Sequence, residues 1–148
     1  MRLFIDTGSV AEVEEIAAWG VLSGATTNPS LLAKEDGDPG DIIRRICALV
    51  RGPVSAEVVA RDAPTMVAEG RALRALDEHV VVKVPFSPAG LAATAELAAD
   101  GIPVNMTLVF SPSQALLTAE AGAATIACSG WRIDAASTCV VTPAGRSA

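Results

Sequence analysis

The chain has 148 residues, enough for one domain with a real core; 51% of it is apolar and 19% charged, which excludes an intrinsically disordered chain. A net charge of −6 and a pI of about 4.7, with no Tyr, three Phe and two Trp, leave neither a basic stripe nor stacking aromatics, so nucleic acid is excluded as a partner. No apolar run reaches the ~18–20 residues that cross a bilayer, and Asp6 falls where a secretory signal has its apolar stretch, so no membrane partner and a cytoplasmic location are expected.

LFID (3–6) reads as a first strand, and Ser9 opens a helix through VAEVEEIAAWG, with Ser9 and Glu12 at capping-box spacing. LSGATTNPS (22–30) is a short strand running into a loop. AKEDGDPGD around Lys34 is a solvated loop, and GDIIRRICALV (40–50) a helix with Ile42, Ile46 and Leu49 at helical spacing. PVSAEVVA (53–60) is a strand, followed by a helix from about Pro64 to Leu76. HVVVKVPF (79–86) is the fourth strand. Ser87-Pro88 then opens a helix that ends at Gly101. IPVNMTLVF (102–110) is the fifth strand. Ser111-Pro112, with Gln114 at capping distance, opens a helix ending at Gly122, and AATIACS (123–129) is a sixth strand.

Continuous βαβα alternation without a linker predicts a single α/β domain over residues 1–148, built on a parallel sheet with right-handed crossovers. The polar residues separate an open doubly wound sheet from a barrel. On the third strand Ser55, Glu57 and Val59 share a face by period-two alternation; on the fourth Val81, Lys83 and Pro85; on the fifth Asn105, Thr107 and Val109. Asp6 lies near the carboxyl end of the first strand. Four strands thus place a polar side chain near one end, and a barrel gathers such residues on its axis. A complete (β/α)8 barrel rarely falls below ~200 residues. The expectation is a TIM (β/α)8-type barrel that is incomplete, with about six βα units.

Lys83 is the anomaly, because an ammonium in an apolar strand is costly unless paired or neutral. The chain has only two lysines, and Lys34 is in the solvated loop. An edge-strand lysine that snorkels to water and a buried Lys–Glu ion pair are the plain alternatives. The chemical one is a nucleophile. A free lysine is neutral about once in 2,500 molecules at pH 7, and apolar walls raise that fraction. A neutral amine beside a carboxylate can form a Schiff base with a ketone or aldehyde, and the iminium is an electron sink for breaking a neighbouring C–C bond.

Other chemistries lack their residues. Cys47, Cys128 and Cys139 have no paired metal-ligand spacing and read as reduced thiols; the single histidine, His79, reads as a surface or strand-cap residue, so no metal site is expected. There is no GxxxxGK[ST], no helix-opening GxGxxG and no GxSxG. A phosphoacceptor receiver module would need clustered acids on its first strand and Asp on its third. FIDTGS offers one acid, and AEVVA has Glu.

LFIDTGS, GATTNPSLL, AEVVA, VVVKVP and GIPVNMTLVFSPSQALLTAEAGA, in this order and spacing, resemble the transaldolase family, in particular the small bacterial subfamily that includes fructose-6-phosphate aldolase. The resemblance covers about residues 1–124. It implies a (β/α)8 barrel and a class I transfer of a dihydroxyacetone unit between sugar phosphates, in the pentose phosphate pathway, with no metal or organic cofactor. By motif position Lys83 matches the Schiff-base lysine and Asp6 the carboxylate that handles the proton of the donor's C4 hydroxyl. Glu57 and Thr107 match the pair that holds a catalytic water. Thr27 and Asn28 of TTNPS, and Asn105 of VNMT, match substrate-binding positions. Glu57 resembles transaldolases more than the aldolase branch, where Gln usually stands.

Residues 125–148 depart from the family pattern, and only Arg132-Ile133-Asp134 is similar to its phosphate-binding Arg-(Ile/Leu)-Asp. Three readings follow: a transaldolase, a fructose-6-phosphate aldolase-like lyase, or an inactive truncated remnant. Full-length relatives of this family are often homo-oligomers.

Overall fold

The computed structural model describes residues 2–128 and 139–141. The chain runs through β1 (Leu3–Asp6), α1 (Val10–Ala17), β2 (Leu22–Thr26), α2 (Pro29–Leu32), α3 (Pro39–Val50), β3 (Val54–Glu57) and α4 (Ala63–Arg74). It continues through β4 (Val80–Pro85), α5 (Pro88–Ala99), β5 (Val104–Val109), α6 (Pro112–Glu120), β6 (Thr125–Cys128) and β7 (Cys139–Val141). The first six strands are parallel and lie side by side in chain order. That order settles the choice of fold, because a doubly wound sheet reverses direction at a switch point. Strands in sequence with helices between them curl into a half-barrel of the TIM type.

A repeated local signal starts the helices. A polar N-cap precedes proline in the first turn at Asn28-Pro29, Asp38-Pro39, Asp62-Ala63-Pro64, Ser87-Pro88 and Ser111-Pro112. Proline fits there because its missing N–H would have no helical partner, and each cap oxygen accepts the backbone N–H three residues on. Gln114 completes the last of these by accepting from the Phe110 N–H. The first helix differs from expectation. Ser9 is its N-cap but makes no side-chain cap bond. Thr7 Oγ1 instead accepts the Ser9 N–H and donates to Glu12 Oε2, so the reciprocal contact sits two residues upstream. Pro29 and Ser30, expected in a loop, instead open one turn of helix that runs to Leu32.

The outward face of the sheet holds the core. Ala25, Val54, Ala56 and Val80 pack against Val13 of α1 and Ile42, Ile43 and Ile46 of α3. Val82, Val84 and Val104 pack against Met66, Val67, Ala93 and Leu97 of α4 and α5. Fully burying one such side chain is worth roughly 1.5–3 kcal/mol. Gly90 lets α5 come this close: a Cβ there would lie 2.2 Å from the Pro85 carbonyl oxygen, at the end of the strand that bears Lys83.

Two details depart from simple alternation. Between Met106 and Val109 the register of β5 against β6 slips by one residue, with Leu108 at φ 61°. This bulge reverses parity, so Val109 does not share a face with Thr107 as expected; it is buried outward with Met106, Ala123 and Ile126. Val59 also leaves the expected face, since β3 ends at Glu57. Finally, β7 pairs antiparallel with β6, a strand absent from the sequence reading.

Cys47 is 1% exposed, and burial, with Asp77 adding repulsion, pushes its thiol up to about 12. The folded value lies above the unfolded one, so the contribution is intact below pH ~9 and declines as pH rises towards 12. Urea denaturation at pH 8 and pH 11 is expected to show a stability decrease that Cys47→Ala reduces. Gly90→Ala is expected to cost about 1–3 kcal/mol by the same assay, because the obstructing atom is backbone.

Candidate active site

The register that buries one sheet face sets the other. Asp6 pairs with Thr26 and Thr26 with Ser55; Glu57 pairs with Lys83, Lys83 with Asn105 and Asn105 with Thr125. Paired residues on parallel neighbours project to the same side, so these side chains line the concave face. Phe4, one layer below Asp6, lies against Gly24, where a Cβ would come within 2.1 Å of its ring. Asp6, Thr26 and Glu57 thus stand at the carboxyl ends of their strands, with an aromatic ring one layer towards the amino end of β1.

Lys83 and Glu57 form the centre. Nζ lies 3.0 Å from Glu57 Oε2, and the side chains are 12% and 18% exposed. The ammonium also donates to the Thr27 carbonyl at 3.3 Å. Lys83 is therefore neither on an edge nor turned to bulk water: it lies on the fourth of six parallel strands, held between the ends of β2 and β3.

The flanking groups are tied down. Thr26 Oγ1 donates to Asp6 Oδ1 at 2.7 Å, which fixes an otherwise exposed carboxylate on β1. Thr27 is fully buried and its hydroxyl donates to the Ser55 carbonyl at 2.8 Å, so only its backbone oxygen reaches Lys83. Asn28 Oδ1 accepts from the Leu31 N–H at 2.9 Å, making this residue a helix cap as well as a candidate ligand. Asn105 Nδ2 donates to Ser55 Oγ at 3.0 Å. Thr107 is buried two residues beyond Asn105, in register with Pro85. Arg132 lies outside the described residues.

The histidine is accounted for elsewhere. His79 N–H and Nδ1 both contact Asp77 Oδ1 at 2.8 Å in the turn before β4. The backbone bond, then the ring, holds the Asp77 carboxyl below the usual carboxylate range. Among the described residues no cluster of three His, Cys, Asp or Glu side chains could hold a metal ion. No helix among them is long and apolar enough to cross a membrane.

Ser55 is the member of this cluster that the sequence reading placed on the right face without singling out. A small polar residue two positions before Glu57, in a strand otherwise apolar up to it, was the available signal.

A sequence profile of the family described as Transaldolase/Fructose-6-phosphate aldolase matches residues 3–138. The chain belongs to this family. Relatives that carry the description "probable transaldolase" include those of Desulfatibacillum aliphaticivorans, 49% identical over 134 residues, and Symbiobacterium thermophilum, 51% identical over 138. That of Aquifex aeolicus is 48% identical over 134 residues. These alignments cover 90%, 93% and 90% of this chain but 63%, 64% and 62% of the relatives, so the chain spans under two thirds of their length.

Removing one partner of a largely buried ion pair leaves the other uncompensated. Glu57→Ala is expected to destabilise the fold by about 1–3 kcal/mol, less than for a fully dry pair because some water reaches it. Adding Lys83→Met to Glu57→Ala is expected to restore at least half of that loss in urea denaturation.

Proposed function

We propose that the chain is a transaldolase: it transfers a dihydroxyacetone unit between sugar phosphates through a Schiff base on Lys83, in the pentose phosphate pathway and in the cytoplasm. The observation that carries this reading is the 3.0 Å Lys83–Glu57 contact on the concave face, at the strand ends where barrel enzymes build their sites. A lysine nucleophile must shed a proton, and Glu57 is within hydrogen-bond reach to take it.

The Lys83 amine adds to the ketone carbon of a ketose phosphate, and loss of water leaves an iminium. Glu57 and Thr107 hold the water that relays these protons. Asp6 takes the proton of the C4 hydroxyl, the C3–C4 bond breaks, and its electron pair moves into the iminium to give an enamine. An aldose phosphate departs. The enamine carbon then attacks the aldehyde of a second aldose phosphate, whose oxygen takes up the proton from Asp6, and hydrolysis releases the new ketose and free Lys83. Asn28 and Asn105 bind substrate hydroxyls, Thr27 contributes through its backbone oxygen, and Arg132 binds the phosphate.

A carboxylate at position 57, in place of a carboxamide, favours the transferase over the lyase, because it accepts and returns protons. Incubation with fructose 6-phosphate and borohydride, followed by peptide mass spectrometry, is expected to place a reduced adduct on Lys83 and none in Lys83→Met. No adduct on Lys83 would overturn the reading. Glu57→Gln is expected to slow adduct formation by roughly 10²-fold or more. Turnover that requires an aldose phosphate acceptor identifies the transferase, and release of free dihydroxyacetone without one identifies the lyase.

A further inference from the structure

The Ser55–Asn105 contact crosses from β3 to β5 on the concave side of β4. Ser55 is in register with Val81 and Asn105 with Lys83, so this bond runs at the level of the lysine and the layer beneath it. Both residues are nearly inaccessible, at 4% and 3% exposure. Ser55 is itself immobilised, since its carbonyl accepts from the Thr27 N–H at 2.9 Å and from Thr27 Oγ1 at 2.8 Å. With Nδ2 committed to Ser55, the atom of the carboxamide left over is Oδ1, and this buried oxygen has no hydrogen-bond partner among the described residues. A buried acceptor without a donor is unfavourable, a cost that a donor brought by a ligand offsets.

We infer that Ser55 is a positioning residue: it holds the Asn105 carboxamide so that Oδ1 is presented beside Lys83 as an acceptor for a hydroxyl of a polyhydroxy ketone. Without Ser55 the amide can turn, offering a donor or an acceptor, and the match to a hydroxyl is weakened. The inference rests on the Schiff-base reading of Lys83. It adds a residue that acts through Asn105 and makes no contact with the reacting atoms.

The test is the concentration dependence of fructose 6-phosphate adduct formation under borohydride, for the unaltered chain, Ser55→Ala, Asn105→Ala and the double variant. Loss of one ordinary hydrogen bond predicts about a 10-fold higher half-saturating concentration for Ser55→Ala, with a smaller effect on the limiting rate. In the Asn105→Ala background, removing the serine hydroxyl is expected to change it by less than about 2-fold. Ser55→Cys, which keeps the size but supplies a weak acceptor, is expected to fall between the serine and alanine forms and decides the matter if circular dichroism shows Ser55→Ala unfolded. Equal loss in both backgrounds, or unchanged affinity in Ser55→Ala and Ser55→Cys, overturns the inference while leaving the Lys83 chemistry standing. No adduct on Lys83 in the unaltered chain overturns both.

Discussion

The two-residue period of a parallel strand governs this molecule. On β4, Val80, Val82 and Val84 are wholly buried under helices, and the residues between them, Val81, Lys83 and Pro85, face the concave side. The same division holds on β3 and on most of β5. A slip of one position on any of these strands would send its lysine, carboxylate or carboxamide into the helix layer, where it has no partner. The hydrophobic requirement of one face therefore fixes the polar arrangement of the other.

Within that frame, electrostatics and hydrogen bonding take over. Lys83 and Glu57 compensate one another across adjacent strands, and Thr26 restrains Asp6 from the next strand along. The Asp6–Thr26 and Glu57–Lys83 contacts join residues paired in the sheet, so the strand register sets their geometry. Rigid elements suit the proposed site, which would hold an amine, a carboxylate and a carboxamide in fixed relation. The prolines in the first turns of α2 to α6 extend that rigidity, because they start those helices at defined positions.

Much of this was legible in residues 1–128. Six strands and the helix starts at Ser87-Pro88 and Ser111-Pro112 follow from periodicity and Ser-Pro punctuation, and period-two alternation also puts Glu57, Lys83 and Asn105 on one sheet face. What escaped depended on contacts between strands. The bulge that turns Val109 outward sits on Leu108, which carries none of the glycine signal expected for a positive φ. The Ser9–Glu12 spacing fitted a capping box, yet Thr7 competed successfully for the glutamate. The Ser55–Asn105 hydrogen bond depends on Asn105 reaching across β4, which neither strand shows alone. β7 lies in a stretch with no periodic pattern, and its pairing with β6 could not be read from either segment alone.

The acceptor that meets Lys83 from Thr27, just beyond β2, is a main-chain oxygen. No codon specifies it. Alanine scanning would pass over position 27 without touching that atom, and drift in the side chain there need not erase it. One arm of the lysine's environment is thus inherited with the path of the polypeptide, and only an edit to the peptide linkage itself, such as an ester replacement, could delete it.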